Sequence, residues 1–124
     1  MRICRYIQDT APQLGFYFDD HIVPLQAGAK AYNRATKSRV ALDITTSPLS
    51  CLPGGESAED AHTVAAWLDA QESERVAIQI ATDSVTLQAP IADPPKILLL
   101  AGNYASHLEE EGGIALEKEE TFPY

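Results

Sequence analysis

The sequence predicts an α+β fold: a small N-terminal domain of short, mostly antiparallel strands with one clearly marked helix. Three observations carry this prediction. Near the N-terminus, apolar and polar residues alternate in short runs separated by turn-forming residues. From Ser57 onward the apolar residues recur at the helical interval instead. Between Ala89 and Pro95 stand Pro90, Pro94 and Pro95, an extended connector that closes the domain.

Taken in order, Arg2 to Ile7 alternates roughly and reads as a strand. Asp9-Thr10-Ala11-Pro12 turns the chain into a second strand, Leu14 to Phe18, and Asp19-Asp20 turns it into a third, His21 to Leu25, giving a meander. Gly15 marks a bulge or a close backbone approach, and Pro24 marks an edge or the end of the third strand. Ala27 to Thr36 fits a short helix in spite of Gly28, and Leu42 to Thr46 fits a strand. Ser47 to Gly55 carries Pro48, Pro53 and Gly54-Gly55 and reads as a loop. Ser57, with Asp60 three residues on, fits a helix N-cap; Ala61, Val64, Ala65 and Leu68 then share one helix face, with Trp67 beside them as a core residue. This helix ends between Gln71 and Glu74. Val76 to Ile80 and Val85 to Leu87 read as two strands joined by a hairpin turn at Thr82-Asp83-Ser84. Residues 1–89 thus form the N-terminal domain, and residues 90–124 a linker and the start of a second domain. In that second domain, Lys96 to Leu100 has the apolar character of a strand buried on both faces.

Composition excludes several classes of function. The 124 residues suffice for a modest core without a disulfide or structural metal. Cys4 and Cys51 show no metal-type spacing and read as reduced thiols of a cytoplasmic protein. Arg2, Arg5, Gln8 and Asp9 interrupt any leader-like apolar run, and no stretch has the length to span a membrane. A net charge of −9 repels nucleic acid, whose binding draws on Lys and Arg. Much of that charge is C-terminal: Glu109 to Glu111, Glu117, Glu119 and Glu120 read as solvated surface. His21 and His62 read as surface or hydrogen-bonded residues rather than ligands, and Ser50 has no base beside it in sequence.

The segment from Lys96 to Glu110 carries the functional signal. Its apolar run, Ile97-Leu98-Leu99-Leu100, discharges into Ala101-Gly102-Asn103-Tyr104 and then into His107 and Glu110. Three residues apart on a helix, these two side chains share a face, where a carboxylate can orient an imidazole and hold its basicity near neutral pH. A His-x-x-Glu pair by itself also describes a solvated surface pair. With Asp93-Pro94-Pro95 before it and Phe122 after it, however, the segment resembles the start of the catalytic domain of the fumarylacetoacetate hydrolase family, where a Pro-x-Lys-Ile strand leads into Gly-x-Asn-Tyr-x-x-His-x-x-Glu.

That resemblance implies a fold and a chemistry. Residues 1–89 become a variable N-terminal domain, and Lys96 to Leu100 the first strand of a β-rich catalytic domain. His107 becomes the catalytic base and Glu110 its partner, while Asn103 and Tyr104 line the substrate pocket or merely cap and pack the turn. The implied reaction is metal-dependent hydrolysis of a carbon–carbon bond in an acylpyruvate-like oxo acid. The implied cofactor is magnesium or manganese, with calcium as an alternative, held by a Glu-x-Glu pair and a later acidic residue. No such set is evident in these 124 residues, so the chain is expected to be the inactive N-terminal part of a longer, homodimeric enzyme. Two departures bear on substrate: Ala101 and Gly102 replace a usual glycine and a larger residue, and Gly112-Gly113 precedes a long acidic stretch before Phe122-Pro123-Tyr124. Oxo-acid decarboxylation, isomerisation, and a purely assembly or lid role for the N-terminal domain are the alternatives.

Overall fold

A computed structural model describes residues 1–43, 46–92, 94 and 96–97. The chain divides into two units, Met1–Asp93 and Pro94–Tyr124, and every described element lies in the first.

That unit is mixed α+β. Strands β1 (Ile3–Ile7), β2 (Pro12–Tyr17) and β3 (His21–Pro24) form the expected meander, followed by helix α1 (Leu25–Thr36). Helices α2 (Ala58–Ala70) and α3 (Glu72–Val76) come next, then two short strands, β4 (Ile80–Ala81) and β5 (Thr86–Gln88). The antiparallel sheet has the order β4-β3-β2-β1-β5. Pro24 ends β3 inside the sheet, and α1 begins at the next residue, where the ring's fixed φ suits helix entry.

Strand register decides which side chains share a face. Ile3 stands opposite Phe16, Arg5 opposite Leu14, and Phe16 opposite Val23, so these five residues share one side of the sheet. Leu25 and Ala29 of α1 and Ala61, Val64, Ala65 and Leu68 of α2 join Phe16 and Val23 in the main core. Trp67 is partly buried at its margin, its ring edge against Tyr32 at 5.7 Å. The opposite side carries Tyr6, Gly15 and Ile22, and there Tyr6 and Ile22 are completely buried although neither belongs to that core.

Curling of the sheet accounts for this second buried face. Strands β4 and β5 are its two edges, yet only five residue steps separate Ala81 from Thr86. Those steps reach at most about 18 Å, whereas four strand spacings in a flat sheet span about 19 Å before any offset along the strands. The connection therefore closes only if the edges curve toward each other. Gly15 lets them: it is the close approach expected from the sequence, within an unbroken register rather than a bulge.

Four expected features differ. Val76 to Ile80 is not a strand, because Glu72–Val76 continues as α3 with Glu72 and Glu74 in its first turn and Arg75 in its last, a favourable charge order for a helix dipole. Only Ile80–Ala81 pairs, and it pairs with β3, so Thr82–Ser84 joins opposite edges of the sheet instead of making a hairpin. Leu42 is buried, but neither it, Asp43 nor Thr46 lies in a strand. Asn33 instead holds the approaching chain, accepting from the Val40 amide at 2.8 Å and donating to its carbonyl at 2.9 Å. Ser57 caps α2 without a side-chain bond: its backbone is near-helical, and its hydroxyl accepts from Ser50 Oγ at 3.3 Å.

Of the strand expected at Lys96 to Leu100, Lys96 and Ile97 are not in strand conformation, and Leu98 to Leu100 lie outside the described residues.

Candidate functional site

Asn103, Tyr104, His107 and Glu110, the residues singled out from sequence, all lie outside the described residues, as do Gly112-Gly113 and the C-terminal glutamates. Within Met1–Asp93 the structure brings together two other constellations.

The first is a stack at the β3–α3 boundary. His21 Nδ1 lies 2.5 Å from Asp20 Oδ1, its ring stacks parallel on Phe18 at 5.2 Å, and the Arg75 guanidinium covers Phe18 at 5.0 Å. Thr82 ties the adjoining turn, donating its amide to the Asp20 carbonyl and its hydroxyl to the Asp19 carbonyl. Cation, ring and imidazole thus clamp α3 to the sheet. His21 is hydrogen-bonded, as its sequence context suggested, and His62 is exposed on α2.

The second is an open groove of about 420 Å³ that gathers four separated stretches of chain. Arg5 of β1 and Gln13 of β2 lie on one side, and Thr46 and Ser47 on the loop before α2. Leu14, Pro48, Leu49, Pro90 and Ile91 supply the apolar walls. Alternation explains Arg5: it has the same parity in β1 as Ile3, so it occupies the helix-facing side of the sheet, beyond the cover that the helices give Phe16 and Val23. Such a charge is costly to desolvate without a counter-charge. Among the described residues the Arg5 side chain has no ion-pair or hydrogen-bond partner, and no acidic side chain of a described residue lines the groove.

Two hydroxyls of the groove can still donate. Gln13 borders the groove, but its side chain belongs to the other face of the sheet, where Oε1 accepts from Tyr6 Oη at 3.3 Å. Thr46 Oγ1 accepts from the Asp43 amide at 3.0 Å and Ser47 Oγ from the Leu49 amide at 3.2 Å, so each hydroxyl keeps a hydrogen to give. Sequence reasoning missed this site because its walls come from stretches far apart in the chain. The one local signal was an arginine at an apolar-face position of an alternating strand.

Neither thiol is poised for nucleophilic chemistry. Burial pushes the Cys4 thiol up to about 11, against weaker opposing effects of backbone hydrogen bonds from Cys4 itself and Gly15, and burial also raises Cys51. Among the described residues no three His, Cys, Asp or Glu side chains gather as metal ligands. No helix among the described residues is long and apolar enough to cross a membrane. Compared with known proteins, the chain matches no protein-family model, no curated protein and no solved structure.

Proposed function

We propose that this chain is the N-terminal portion of a cytoplasmic, metal-dependent, dimeric hydrolase resembling the fumarylacetoacetate hydrolases, with Met1–Asp93 as its accessory domain. The observation that carries the reading is the ordered run Lys96-Ile97 … Asn103-Tyr104 … His107 … Glu110, in which an apolar segment, a polar turn and a spaced His and Glu follow one another.

In this reading the imidazole of His107 removes a proton from water as it attacks the acyl carbonyl of an acylpyruvate-like oxo acid. Glu110 orients the ring and stabilises its protonated form. The carbon–carbon bond then breaks, giving a carboxylate and a second oxo acid whose methyl or methylene carbon takes up a proton. Asn103 and Tyr104 bind substrate. The divalent ion that the resemblance implies would be held by a Glu-x-Glu pair and a later acidic residue of the catalytic domain, where it would stabilise the developing enolate.

The test is an assay of the natural polypeptide that carries this chain, using acylpyruvates with magnesium or manganese and following both carboxylate products and carbon dioxide. Paired carboxylate products are expected. Carbon dioxide alone would replace hydrolysis by decarboxylation, an isomerised acid would replace it by isomerisation, and no turnover with either metal would reject the enzymatic reading.

A further inference from the structure

We propose that the groove around Arg5 binds a small monocarboxylate bearing a short apolar chain. This inference stands on the groove's own geometry and does not depend on the enzymatic reading.

Charge gives the sign of the ligand. Arg5 brings one fixed positive charge to a groove with no acidic side chain among its described lining residues, in a chain whose net charge is −9. A dianion's second charge would have to shed water with no second cation among the described lining residues to pair with, so a monoanion suits the groove. Donor geometry gives the chemical type. A guanidinium presents a planar fork matched to a carboxylate, and the Thr46 and Ser47 hydroxyls, each accepting one backbone amide, still have a hydrogen to donate. A cation would meet the Arg5 charge with no acidic side chain among the described lining residues to offset it.

Shape gives the remainder of the ligand. Leu14, Pro48, Leu49 and Ile91 form apolar walls, and Leu49 is 47% exposed, apolar area that a ligand's alkyl chain would cover. A volume of about 420 Å³ falls at the lower end of small-molecule sites, suited to a short-chain acid rather than a folded partner. The prolines at 12, 48 and 90 hold three of the contributing stretches with fixed φ, which lowers the ordering cost of binding.

Titration of the full ¹⁵N-labelled chain with sodium hexanoate, followed by amide chemical shifts, tests this directly. The amides of Arg5, Gln13, Ser47 and Leu49 are expected to shift together and saturate in the millimolar range, while 1-hexanol at the same concentrations leaves them in place. Arg5→Met is expected to weaken hexanoate binding by about tenfold or more, and Arg5→Lys, which keeps the charge and loses the fork, by about threefold. Should Arg5→Met fail to fold, Arg5→Lys and the hexanol comparison still decide. Equal response to hexanol, unchanged affinity in Arg5→Lys and Arg5→Met, or saturable shifts centred elsewhere would overturn the proposal.

Discussion

Gly15 sits directly beneath Ile22: a methyl group built on it would lie 2.3 Å from Ile22 Cγ2, 3.0 Å from the Val23 carbonyl and 3.1 Å from the Tyr6 ring. Ile22 is β-branched and completely buried, so it has little freedom to move aside. Gly15→Ala is therefore expected to destabilise the domain by about 2 kcal/mol through overpacking, although alanine is the better residue in an ordinary strand position. Urea unfolding should show a lowered midpoint with an unchanged slope. A midpoint equal to that of the wild type would mean that the sheet does not close over this residue.

The main core makes the opposite prediction. Leu68 is completely buried where α2 meets α1, with Cδ1 3.2 Å from the position a Gly28 Cβ would take. Leu68→Ala leaves a cavity that neighbouring α1 and sheet residues can fill only in part, and should cost about 3 kcal/mol. Thermal and urea unfolding measure it; a cost under about 1 kcal/mol would place Leu68 outside the core.

Much of this fold was legible in the sequence where local pattern and tertiary demand agree. The meander followed from alternation and from turn residues at Asp9 to Pro12 and Asp19-Asp20, and α2 from the spacing of Ala61, Val64, Ala65 and Leu68. Leu42 misled because a buried apolar residue needs no strand when Asn33 supplies the partner for neighbouring backbone. Val76 to Ile80 misled because a short apolar run does not distinguish a helix end from a strand, and the pairing of Ile80 with Ile22 is a long-range choice. The His107–Glu110 motif was legible but lies outside the described residues, whereas the Arg5 groove is assembled only by folding.

Asp19 and Arg2 form a forked ion pair at 2.6 and 3.0 Å, at a turn where Asp19 adopts φ 63°. The hydrogen bonds from Arg2 hold the Asp19 carboxyl below its ordinary range. A lowered folded value means that the pair's contribution is present above the unfolded value, about 3.9, and is lost as pH falls through the folded one. Asp19→Asn keeps a residue that tolerates left-handed backbone and removes the charge. The melting temperature of the wild type should therefore exceed that of Asp19→Asn at pH 6, more at low salt than at high, with the gap closing in acid. A gap that persists unchanged at the acid limit would contradict this.

Burial raises both thiols, and Cys51 is only 1% exposed. At pH 7.5 the native protein should react with iodoacetamide much more slowly than the urea-unfolded chain, with Cys51 the slower of the two. Mass spectrometry of the labelled peptides reads this out. Native labelling at the unfolded rate would show that Cys51 is accessible.

His107 carries the central functional claim. In the active natural polypeptide, His107→Ala is expected to lower turnover of an acylpyruvate by about a hundredfold or more while leaving the melting temperature unchanged, as loss of a general base does. A loss below about threefold with the fold intact would remove His107 from the mechanism and contradict the hydrolase reading.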